Sequence, residues 1–116
     1  MEFIVGASAN LGQDSRYRAT LTYSSQWFKE NIKEIYVKKY NNKACLYAIR
    51  LVKNPSNAAA SNVVLVVANE ECSSDYTKIS LDALTAIDIT EYPYIAIEIT
   101  PKDSMEYAAA YVKFVF

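Results

Sequence analysis

Apolar and polar side chains alternate with a period of two along most of this sequence, and no other feature limits its fold as strongly. Successive side chains of a strand point to opposite faces, so alternation marks extended segments with one face on a core and one on water. In Arg16 to Tyr23, the inward set is Tyr17, Ala19, Leu21 and Tyr23; Arg16, Arg18, Thr20 and Thr22 face outward. Tyr94 to Thr100 turns Ile95, Ile97 and Ile99 inward. Ala108 to Phe116 puts Val112, Phe114 and Phe116 on one face and Tyr111, Lys113 and Val115 on the other. Thr77, Ile79 and Leu81 share a face in a further alternating piece. Lys33 to Tyr40 and Lys43 to Lys53 flank Asn41-Asn42. Asn tolerates positive φ, so this pair reads as a tight hairpin turn. Val63 to Ala68 is apolar on both faces and is expected to be covered on both sides.

One segment breaks the period. Ser24 is a good N-cap for the helix-tolerant residues that follow, which predicts a short helix near residues 25–33, with Trp27 and Phe28 plugging one end of the core. Asp82 to Ala86 reads as a single helical turn. In all, about eight strands of roughly 5–10 residues are separated by turn signals. Long helical periods, which a parallel sheet would need for its crossovers, are missing. The expectation is an all-β chain: an antiparallel β-sandwich of about eight strands, jelly-roll or immunoglobulin-like. With 116 residues, 52% of them hydrophobic, residues 1–116 are expected to form a single domain.

Composition narrows the chemistry. Histidine is absent, which removes the commonest general base and metal ligand. Cys45 and Cys72 therefore have no imidazole to activate them, and no enzyme is expected. Asp82, Asp88, Glu91 and Glu98 show no pairing in their spacing and read as solvated carboxylates. Glu70, Glu71 and Asp75 lack the glycine-containing geometry of a calcium loop. Gly6 and Gly12 do not form a phosphate cradle. No metal and no cofactor are expected. Cys45 lies in an apolar strand and Cys72 in an acidic loop, and both are expected as reduced thiols rather than a disulfide. A net charge of -1 argues against nucleic acid. Arg16-Tyr17-Arg18 and Lys38-Lys39-Tyr40 mix bases with rings, but alternation sends Arg16 and Arg18 away from Tyr17. No segment is long enough to span a membrane, and Met1 to Gly6 has no signal-peptide character.

The aromatic excess remains. Ten tyrosines exceed what a core of this size needs. Tyr36, Tyr94 and Tyr111 fall on outward parity; Tyr40, Tyr92 and Tyr107 lie at turns. A large apolar ring with a polar tip suits protein interfaces and sugar stacking. The candidate interface residues are Trp27, Tyr36, Tyr92, Tyr94 and Tyr111. Strand-like ends (Met1 to Val5, Ala110 to Phe116), the doubly apolar Val63 to Ala68 and outward tyrosines together give a chain that resembles the small β-sandwich virion proteins of tailed bacteriophages. The resemblance implies a non-enzymatic assembly protein: a capsid decoration or cement protein, or a head, neck or tail adaptor. It would be made in the host cytoplasm and reside in the virion as a homo-oligomer. Its partners would be copies of itself and other virion proteins. The alternative is a carbohydrate-binding β-sandwich module, with Trp27, Tyr92 and Tyr94 as its stacking platform.

Overall fold

The computed structural model describes residues 1–10, 19–40, 42–54, 63–82, 89–102 and 107–116. Among these residues eight strands and one helix follow in order: β1 (Glu2–Asn10), β2 (Ala19–Ser24), α1 (Ser25–Asn31), β3 (Glu34–Lys39), β4 (Cys45–Val52), β5 (Val63–Glu71), β6 (Thr77–Ile79), β7 (Tyr94–Pro101) and β8 (Tyr107–Val115). They form two four-stranded antiparallel sheets, β1-β8-β3-β6 and β2-β7-β4-β5.

The pairing explains the topology. β4 pairs with β5, β3 with β6, β2 with β7 and β1 with β8, as in one long hairpin doubled back on itself. Two further pairings, β3 with β8 and β4 with β7, wind that ribbon into two stacked sheets. This is the jelly-roll order. An immunoglobulin-like sandwich would instead place its first two strands side by side in one sheet.

That winding overturns the hairpin expected at Asn41-Asn42. β3 and β4 lie in different sheets, so the chain crosses from one layer to the other between Lys39 and Cys45. Both edges of β3 are taken by β6 and β8, and both edges of β4 by β5 and β7. Local turn chemistry reports a reversal, not which partner the next strand takes.

Alternation holds where it positions the core. Ile35 and Val37 of β3, Cys45, Tyr47, Ile49 and Leu51 of β4, Ile95, Ile97 and Ile99 of β7, and Val112 and Phe114 of β8 are all buried between the sheets. Each such aliphatic side chain contributes about 1.5–3 kcal/mol on leaving water. Ile79 of β6 joins them, and Leu21, Tyr23 and Leu81 pack against the cluster from its rim. Tyr17, Gly12 and residues 83–88 lie outside the described residues, as do the side chains of residues 63–69, on which the expected double coverage rests. β5 is itself an edge strand, and its register with β4 shifts around Ile49.

The helix starts where the cap was read. Ser24 is the N-cap, and its side chain accepts from the Trp27 N–H at 3.3 Å. The Ile32 N–H closes the last turn on the Phe28 carbonyl at 2.8 Å. Ser25 pins the helix to the start of β7: its N–H donates to the Pro93 carbonyl at 2.9 Å and its hydroxyl to the Tyr92 carbonyl at 2.6 Å. Phe28 is buried and plugs the core, as expected. Trp27, one position earlier on a short helix, is directed outward and 46% exposed. Only one of the two rings can face inward, because neighbouring helical residues point about 100° apart.

The cysteines are also placed differently from expectation. Cys72 is not a loop thiol in water but is buried beside Cys45. The β4–β5 ladder pairs Leu46 with Glu71, and one step further the Cys72 N–H donates to the Cys45 carbonyl at 2.8 Å. Both are free thiols. Their mutual hydrogen bond, together with burial, holds the Cys72 thiol far above its ordinary pKa, while the same bond pushes Cys45 down.

Candidate functional site

Two surfaces carry the aromatic excess. The first is the end of the sandwich under α1. The inward face of β8 carries Val112 and Phe114 and leads to Phe116 just beyond the strand, β1 brings Phe3 and Val5, β2 brings Tyr23, and α1 brings Phe28 and Trp27. The rings contact one another edge to face and in tilted stacks: Tyr23 to Phe114 at 5.5 Å, Phe28 to Phe114 at 5.9 Å and Trp27 to Phe116 at 5.4 Å between centroids. Such pairs contribute about 0.5–1.5 kcal/mol beyond their burial. They do not close the end. A cleft of about 480 Å³ remains, lined by Met1, Phe3, Val5, Tyr23, Trp27, Phe28, Asn31, Phe114 and Phe116. Its size is that of an ordinary binding pocket. Asn31 has turned one amide hydrogen back to the Trp27 carbonyl at 2.7 Å. Burial raises the Tyr23 phenol above its ordinary pKa, as expected of a ring in an apolar wall. At the mouth Met1 and Phe3 are exposed, Phe3 by 56%; Ile4, 55% exposed, shares the opposite face of the sheet with Lys113.

The second surface is the outer face of the β1-β8-β3-β6 sheet. There tyrosines and lysines interleave. Lys113 Nζ lies 4.6 Å from the ring centres of both Tyr36 and Tyr76; Lys38 Nζ lies 4.7 Å from Tyr76 and 5.8 Å from Tyr111. Tyr40 meets Tyr111 edge to face at 5.3 Å. Each cation–ring contact at such a site contributes about 0.5–1 kcal/mol. The Tyr36 hydroxyl donates to Glu34, which also pairs with Lys78 at 3.5 Å. The Tyr36 bond, with Lys78 and Lys113 nearby, holds the Glu34 carboxyl below its usual range, and the same bond raises the Tyr36 phenol. Tyr36, Tyr76 and Tyr111 are half-buried on this face, while Tyr40 is exposed.

The five candidate interface residues therefore occupy separate places. Tyr36 and Tyr111 share the lysine-tyrosine face. Trp27 stands at the mouth of the cleft. Tyr94, 39% exposed, opens β7 opposite Ser24 and Val52. Tyr92 packs on the core beneath Lys53, whose Nζ lies 5.5 Å from its ring centre. The ring neighbour of Trp27 is Phe116, and that of Tyr92 is the Lys53 ammonium. Sequence reasoning missed Phe3, Phe116 and Tyr76. The parity of β8 already puts Phe116 in line with Phe114, but no local signal says that the sandwich stays open there.

The inventory of reactive groups is thin. Among the described residues no three His, Cys, Asp or Glu side chains gather as a metal ligand set. No described helix is long and apolar enough to cross a membrane. No protein-family model matches the chain, and no curated protein matches it in sequence.

Proposed function

We propose that this chain is a non-catalytic assembly protein of the kind found in tailed-bacteriophage virions, a capsid decoration or cement protein or a head–tail adaptor. In this reading its open aromatic end docks on neighbouring subunits. The observation that carries it is the exposed apolar surface of Met1, Phe3 and Trp27 around an aromatic-walled cleft. Contiguous exposed apolar surface on a small domain marks an interaction site. The jelly-roll order supports the virion setting by fold analogy alone, since capsid and lectin domains share it. Neighbouring subunits repeated around a symmetry axis would add many modest contacts into stable attachment.

Docking here is burial of ring and aliphatic surface, with Trp27 and Phe3 as the anchors. Large aromatic residues at the centre of a desolvated patch carry most of the energy of such contacts. Light scattering on the intact chain and on a Phe3→Lys/Trp27→Lys variant tests the reading. The expected result is a discrete oligomer for the parent chain and its loss in the variant, with circular dichroism unchanged. A monomer that binds sugars on a glycan array would overturn the reading in favour of a lectin-like module.

A further inference from the structure

A jelly roll has four sheet edges, and here three are blunted. β6 has only three residues. β5 carries register shifts against β4 and ends at the exposed pair Glu70 and Glu71. β2 is six residues long, shows Thr20, Thr22 and Ser24 to water, and runs directly into α1. Short length, bulges and charge are the usual devices that keep an edge from pairing with another chain.

β1 is neither short nor bulged, and its one charge stands at its first residue. It is nine residues long and pairs with β8 through all nine without a bulge. Its sequence, Glu-Phe-Ile-Val-Gly-Ala-Ser-Ala-Asn, holds one charge and no proline. Among the described residues nothing pairs with its outer edge. We infer that the outer edge of β1 pairs antiparallel with β1 of a second copy about a two-fold axis at Gly6, joining two four-stranded sheets into one of eight. This names one partner of the chain, a second copy, and rests on the assembly reading above.

The strand is self-complementary in that register. Gly6 meets Gly6, Val5 meets Ala7, Ile4 meets Ser8, Phe3 meets Ala9 and Glu2 meets Asn10. The larger apolar residues thus oppose small ones. The two Glu2 carboxylates stand eight residues apart along the ladder, roughly 27 Å at strand rise. That exceeds the screening length of about 8–10 Å in ordinary salt, so their repulsion does not oppose pairing. The exposed Phe3 and Ile4 of each copy lie beside the new seam, which places both aromatic clefts along one continuous sheet.

A cysteine scan tests the register. A Cβ at Gly6 would lie 3.6 Å from the Tyr111 ring, ordinary contact distance, so Gly6→Cys fits the fold. The two native thiols are buried. Under mild oxidation Gly6→Cys is expected to give a covalent dimer on a non-reducing gel. Ser8→Cys, which faces Ile4 and not itself, is expected to give little. Ile4→Lys, at a position 55% exposed, is expected to weaken self-association by about tenfold or more in sedimentation equilibrium, with circular dichroism unchanged. An oligomer that Ile4→Lys leaves intact and that Gly6→Cys does not cross-link would overturn β1 pairing while leaving the assembly reading in place on another surface. A chain that stays monomeric and binds glycans would overturn both.

Discussion

Around Cys45 small side chains are buried between the sheets, while around Phe114 aromatic rings line a cleft. Cys45, Cys72, Ala110 and Val37 are all buried at the first end, and the Cys72 backbone ties β5 onto β4. Phe3, Tyr23, Trp27, Phe28, Phe114 and Phe116 line the second, with a cleft of about 480 Å³ among them. Small side chains let two sheets approach and interdigitate without voids. Rings meeting edge to face leave space that a single chain does not fill. The difference separates residues that hold the fold from residues free to hold something else.

Substitution can break this comparison, and the largest effect belongs to the residue the two roles share. Phe114 is buried and touches Tyr23, Phe28 and Phe116. Phe114→Ala is expected to cost about 3–5 kcal/mol in urea unfolding. If it costs far less, the aromatic end is not anchored in the core as described. At the Cys45 end, Cys72→Ser places a hydroxyl in a buried site and is expected to cost about 1–3 kcal/mol by the same measurement.

A pH titration sharpens the contrast without changing the size of a side chain. Burial, helped by a 2.9 Å hydrogen bond to Glu70, pushes the Tyr47 phenol up to about 12 from its ordinary 10.0. The folded chain holds that proton more tightly than the unfolded one. The resulting stability is fully present below pH 10 and is lost as pH rises through about 12. The unfolding midpoint is therefore expected to fall across that window, and Tyr47→Phe to flatten that part of the slope. The smallest effect is expected at the mouth of the cleft: Trp27→Ala should cost no more than about 1 kcal/mol of stability. A loss comparable to that of Phe114→Ala would make Trp27 a core residue.

Much of the fold was legible because one period governs it. The inward set of β7, Ile95, Ile97 and Ile99, follows directly from alternation, as do the outward positions of Tyr36, Tyr94 and Tyr111. The cap at Ser24 located α1 because capping is local. What failed was non-local. Asn41-Asn42 looked like a hairpin, since turn residues do not say that β3 prefers β8 and β6 to its sequence neighbour. Cys72 looked solvated because Glu70, Glu71 and Asp75 surround it in sequence, yet a strand that continues in register carries it opposite Cys45. The site was half legible. Trp27 was chosen for its ring, but Phe3 and Phe116 join it only because β1 and β8 run side by side beneath the helix.

Trp27 is the sole tryptophan, so its fluorescence reports on the cleft alone. The most direct measurement is its emission maximum as protein concentration is raised from high dilution. A ring on an open docking surface should emit at long wavelength when dilute and shift to shorter wavelength as copies associate. Short-wavelength emission at every dilution, unaltered by concentration, would place the ring inside its own chain and contradict the open-end assignment.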